Sequence, residues 1–177
     1  MMKEAILFLF ISISGLAAQA QDSYPTPPDL YQRLFYIQRT GSSNTVVYDA
    51  KFGPDGKFKP EQPIDVYWLR YSDYGQRVDL NYLQRTLAYG VKAAQSDISN
   101  EYIFHLVSYS QRKFRLKLDA QGKPVAVILI NGKEAYLKRV FLEHEDALFG
   151  LRPIIHYVEI FGVDAKTGKA VYERFVP

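Results

Sequence analysis

PIDVYWLRYSDYGQRVDLNYLQRTLAYGVKAA, residues 63–94, holds the only tryptophan, Trp68, and the clearest helical spacing in the chain. Residues 64–71 alternate. Ile64, Val66, Trp68 and Arg70 share one face, and Asp65, Tyr67, Leu69 and Tyr71 share the other. This predicts a strand with Val66 and Trp68 turned inward. A polar loop over residues 72–77 contains Gly75. Asp79 reads as an N-cap, and Leu80, Leu83 and Leu87 follow as one apolar stripe. Gly90 stands where a helix end favours a left-handed glycine. The pattern predicts one short helix over residues 79–89, with a weak strand signal after it.

On the N-terminal side, residues 34–40 and 45–52 read as strands paired across Gly41-Ser42-Ser43-Asn44. Val46, Tyr48, Ala50 and Phe52 share one face, and Thr45, Val47, Asp49 and Lys51 take the other. Gly53-Pro54-Asp55-Gly56 is a turn that opens a polar loop to Pro63. On the C-terminal side the pattern is a meander. Residues 102–109 are apolar on both faces and read as one central strand, which makes His105 a core histidine. Lys113, Arg115 and Lys117 then alternate with Phe114, Leu116 and Leu118. The pair Asn131-Gly132 predicts a type I′ hairpin. Further strands follow over residues 134–143, 154–163 and 170–176, with a loop around Gly150. About nine strands at this spacing, with one helix, indicate an all-β domain. The expected architecture is an antiparallel two-layer sandwich, with a closed β-barrel and an internal pocket as the alternative.

The stretches FYIQRTGSSNTVVYDA, PIDVYWLRY and LNYLQRTLAYGVKA resemble an uncharacterised bacterial family, the domain of unknown function catalogued as 4833. The resemblance runs from about Leu34 to the C-terminus. It implies a self-contained, often exported domain, and it carries no activity.

The N-terminus reads as a targeting segment. Lys3 supplies a basic start, residues 5–18 are mostly apolar, and Ala18-Gln19-Ala20 is a cleavage signature. The apolar run is shorter than the roughly 20 residues a spanning helix needs. Residues 1–20 are therefore expected to be a signal peptide. Residues 21–33 are a proline-rich lead, a tether or extended arm, and residues 34–177 a single β domain. A periplasmic or secreted protein follows, not membrane-spanning once the signal is cut.

Composition excludes several chemistries. The chain has no cysteine, so thiol catalysis, thiolate metal sites and disulfides are out. A net charge of +3 is too small to imply a polyanion, and no nucleic-acid partner is expected. No nucleophile elbow, P-loop or dinucleotide fingerprint is present. Tyrosine leads the aromatics with 14 residues, which suits sheet packing or a binding face.

Four constellations remain. Arg70, Arg77 and Arg85 with Tyr71, Tyr74 and Tyr82 could bind a glycan or small carboxylate, through bidentate hydrogen bonds and stacking. A hairpin centred on Gly150 would set His144 opposite His156, beside Glu143 or Glu145, where a divalent metal could sit. Glu143, Glu145 and Asp146 could alternatively serve a hydrolase, although loop carboxylates commonly form a solvated rim. The Lys113, Arg115, Lys117 stripe could meet phosphate or uronate groups, although such stripes usually keep a face soluble. No cofactor is expected. The favoured reading is a non-enzymatic exported module that binds a small molecule, glycan or envelope protein. A metal-assisted or carboxylate hydrolase and a structural envelope-assembly protein are the alternatives.

Overall fold

The computed structural model describes residues 24–145 and 154–177. Among these, eleven strands form one sheet. They are β1 (Arg33–Arg39), β2 (Ser42–Ala50), β3 (Ile64–Arg70), β4 (Gln76–Asp79), β5 (Val91–Gln95) and β6 (Tyr102–Leu106). They continue with β7 (Tyr109–Leu118), β8 (Pro124–Ile130), β9 (Lys133–Glu145), β10 (Ile154–Asp164) and β11 (Ala170–Phe175). The expected signal-peptide cleavage site, Asp146 and the Gly150 loop lie outside the described residues.

The long strand β9 organises the sheet. One of its edges pairs with β10 from Ala135 to Glu145. Its other edge serves two partners in succession. Residues 133–136 pair with β8, and residues 139–142 pair with β1. Two wings leave that edge, β1-β2-β3-β4 and β8-β7-β6-β5. They curl towards each other, and the result is an open half-barrel.

The expected two-layer sandwich is thus corrected to one continuous sheet, and the closed barrel is not formed either. Nor is the sheet wholly antiparallel, because β1 runs parallel to β9. The physical reason is length. A strand of 13 residues offers enough edge for two wings, so no break between sheets is needed.

The space between the wings is filled with rings. Phe35 stacks on Tyr48 at 4.3 Å and faces Phe114 at 6.1 Å, and Phe104 stacks on Phe114 at 5.0 Å. All four are buried. Offset stacks of this kind add to the burial of large apolar areas. Val66 and Trp68 point inward, as the alternation predicted.

Several local expectations change. Residues 102–109 do not make one central strand. They break at Val107 and Ser108 into β6 and β7, and Ile103 is exposed. His105 accordingly lies on the outer face rather than in the core. Asp79 belongs to β4 and caps nothing. Asn81 takes the capping role instead, accepting from Gln84 N at 2.8 Å while its own N–H donates to Gln84 Oε1 at 3.1 Å.

The helix itself shrinks to a single turn of π type, Gln84–Ala88, closed by Tyr89 N–H donating to Gln84 O. Leu80 is buried, but Leu83 and Leu87 are exposed. The leucine stripe therefore does not dock this turn. Trp68 does, by donating from Nε1 to Gln84 Oε1 at 3.3 Å and meeting Tyr89 edge-on at 5.1 Å. Gly90 is not left-handed. It is needed because a Cβ there would come 1.8 Å from the Arg85 carbonyl oxygen. Asn131-Gly132 forms the expected hairpin, with both residues at positive φ.

Candidate functional site

The half-barrel is open between β4 and β5, the two ends of the strand path. Beside that opening lies a groove of about 680 Å³. Ile64, Asp65 and Val66 of β3 and Gly90 and Val91 at the start of β5 line it. Arg77 and Asp79 of β4 and Arg85 of the π turn reach it as well, and Lys51, Lys59, Glu61 and Gln62 complete it. The volume is in the range of small-ligand sites.

Its charges are unequally engaged. Arg77 donates to Asp65 at 2.8 Å, approaches Asp79 at 3.7 Å and lies 3.9 Å over the Tyr67 ring. Burial pulls the Arg77 pKa down, but Asp65 more than offsets it and holds the value above the ordinary one. Arg77 is thereby fixed as part of the wall. Lys51 donates to Gln62 Oε1 at 3.1 Å. Arg85 and Lys59 have no polar side-chain partner among the described residues. They are the cations available to a ligand.

Behind Tyr67 a polar network runs beneath the outer surface. Arg33 Nε donates to Asp49 Oδ1 at 2.5 Å, and Tyr67 OH donates to Asp49 Oδ2 at 2.6 Å. Burial, and then the Asp49 carboxylate, push the Tyr67 phenol up to about 12. Arg33 also donates to Pro28 O at 2.9 Å, and Gln38 donates to Pro25 O at 2.8 Å. The proline-rich lead is thus laid across the sheet as an extended arm, with Pro27 buried and Tyr24 against Phe141 at 5.2 Å. Alternation puts Asp49 on the face opposite Tyr48. The lead covers that face.

The six Arg/Tyr residues expected to form one site divide. Arg77 and Arg85 meet at the groove. Arg70 pairs loosely with Asp73 at 3.8 Å in an exposed turn. Tyr74 and Tyr82 are exposed. The Tyr71 hydroxyl is buried without a hydrogen-bond partner among the described residues, and burial raises its pKa. None of the three tyrosines lines the groove.

The histidine expectation shifts too. Ile155 stands opposite His144, because a bulge falls between Ile155 and Tyr157 and displaces His156 by one position. His156 instead meets Glu145 at 3.5 Å, while Glu143 accepts from Thr40 at 2.6 Å. Among the described residues, no three of His, Cys, Asp and Glu gather where a metal could sit. Among the same residues, no helix is long and apolar enough to cross a membrane.

A family described as a domain of unknown function, DUF4833, matches residues 35–174, from within β1 to within β11. The chain belongs to this family. No curated protein and no solved structure matches it. The DUF4833 match therefore assigns the fold unit without a reaction. It also spans every strand that builds the groove, so the site belongs to the family domain and not to an appendage.

Sequence reasoning found two of the DUF4833 groove's cations and missed Lys51, Lys59, Glu61 and Gln62. Lys51, just after β2, read as a strand residue, and the other three lie in the following loop, which read only as polar connection. Two features were visible. Lys59 and Glu61 flank Pro60, and the loop is closed at both ends by turn residues. Neither specifies a groove, because the opposite wall comes from a segment about thirty residues later in the chain.

Proposed function

We propose that this protein is an exported, non-enzymatic binding module that takes a small polar carboxylate in the groove beside the β4–β5 opening. The observation that carries the proposal is the pair of uncommitted cations, Arg85 and Lys59, in a groove whose other positive groups are already engaged. A guanidinium offers a carboxylate a two-pronged set of donors, and an ammonium adds a point charge. Glu61 and Gln62 supply acceptors for hydroxyl or amino groups on the same ligand.

Among the described residues no aromatic side chain lines the groove, which weighs against a stacked sugar ring, so a compact acid fits better than a glycan chain. Export rests on the leader-like N-terminus, and periplasmic or secreted localisation is part of the same proposal.

The test is calorimetric titration of the mature chain with a panel of small carboxylates, including uronic, hydroxy and amino acids. At least one is expected to bind saturably. Arg85→Gln and Lys59→Gln should each weaken it about tenfold or more, the loss of one charge-assisted contact, while Tyr74→Ala leaves it unchanged. Binding that survives the loss of both cations would rule out this groove.

A further inference from the structure

The outer face of the other wing carries a second group of cations. Lys92 of β5 lies directly opposite His105 of β6. On the other side of His105, Lys113 of β7 brings its Nζ to 3.3 Å from His105 Nδ1. Residues paired across a sheet share a face, so an imidazole stands here between two ammonium groups. With the Lys113 ammonium as donor, Nδ1 is the acceptor. The ring then carries its proton on Nε2, which becomes a further donor.

The charged groups around this row are few. Arg115, opposite Ile103, is occupied by Glu134 at 2.9 Å, and among the described residues no carboxylate contacts Lys92, His105 or Lys113. Burial, then Lys113, then Lys92 hold the His105 pKa below its ordinary value. Like charges in this arrangement repel unless an anion joins them.

We propose that Lys92, His105 and Lys113 form a binding site for a phosphoryl oxyanion, separate from the groove. The anion sits over the imidazole, accepts from the two ammonium groups and Nε2–H, and relieves their repulsion. The same chemistry is offered by free phosphate and by the headgroup of an anionic phospholipid.

The test uses the full mature chain at constant ionic strength. Sodium phosphate is added while the His105 ring signals are followed by NMR. In parallel, flotation with phosphatidylglycerol vesicles is compared with phosphatidylcholine vesicles. A saturable His105 shift with its pKa moved upward, lost in Lys92→Gln/Lys113→Gln and retained in Arg85→Gln, establishes the site.

Phosphate saturation without flotation identifies a soluble phosphoryl ligand. Flotation on phosphatidylglycerol alone, abolished in the double variant, identifies a lipid headgroup. Neither response, or responses unchanged in the double variant, overturns the proposal. Because the lysines lie on the sheet's outer face, the circular dichroism and melting of the double variant should match the parent. His105→Gln is the second variant; with phosphate followed on the backbone amide signals of β5 to β7, it should weaken phosphate binding and any flotation while removing their pH dependence. Loss of groove binding in Arg85→Gln would not affect this result, so the two sites fail independently.

Discussion

The two wings that leave β9 differ in how their outer faces are treated. In β2, of the first wing, Val46, Val47, Tyr48 and Asp49 are buried in succession, because the core covers one side and the lead covers the other. In β6, of the second wing, burial alternates, with Phe104 inside and Ile103 and His105 outside. A strand covered on both sides can bury an ion pair. A strand covered on one side leaves its charges in water, where they are available to ligands. The difference teaches that the lead, and not strand sequence alone, decides which polar residues become structure.

The sharpest way to break the comparison is Asp49→Ala. It leaves the Arg33 guanidinium buried without its counter-ion, and removing one partner of such a pair costs about 3–5 kcal/mol. Urea denaturation should show that loss. The matching change on the other wing, Glu134→Ala, removes the exposed partner of Arg115 and should cost about 1 kcal/mol or less. Equal losses would mean that the two faces are not treated differently after all.

Next in size is removal of the lead. A chain starting at Tyr31 loses the Pro25 and Pro28 carbonyl acceptors. It should lose about 2–3 kcal/mol, the penalty range for unsatisfied buried donors. Hydrogen exchange should quicken in β1 and β2 and stay slow in β6 to β8. Uniform quickening would show that the lead supports the whole sheet.

A third change probes how the sheet's end is tied to the second wing. Glu173 of β11 accepts two bonds from Arg112, at 2.8 and 2.9 Å, and one from Asn131 N. These hold its carboxyl below the usual 4.5, with the Arg112 bonds the largest cause. The contribution is therefore present above the unfolded value and lost as pH falls through the lowered one. Glu173→Gln should cost roughly 2 kcal/mol at neutral pH, with the deficit shrinking in acid. A deficit that does not change with pH would refute the ionic account.

The smallest effect concerns His105. Its depressed pKa means that the folded state takes up its proton less readily than the unfolded chain. Acid below 6.5 therefore slightly favours unfolding. Lys113→Gln should raise the His105 pKa in an NMR titration, with a stability change within about 0.5 kcal/mol. No movement of that pKa would mean that the lysine's charge is not felt at the ring.

The strands were largely legible because alternation is a local signal. Trp68 and Val66 inside, and the turn at Asn131-Gly132, follow from neighbours alone. The site was legible in fragments. Arg77 and Arg85 were picked out, yet their tyrosine companions point elsewhere, because which ring faces which groove depends on how the wings curl. The Gln84–Ala88 turn misled for a related reason. Leucine spacing suggested a docked helix, but the Trp68–Gln84 bond and the tight approach at Gly90 set the geometry instead.

By itself, the amino-acid order determined that this chain is built of β-strands, where most of them run, and that cysteine chemistry is absent. Side-chain periodicity and turn residues act over a few positions, and those are present in the sequence as written. Tertiary structure alone decided that one sheet replaces two, that β1 runs parallel to β9, and that Asp49 is buried while His105 is not. Each of these depends on which distant segment pairs with or covers a strand. That choice is made by the sum of many weak packing terms across the fold.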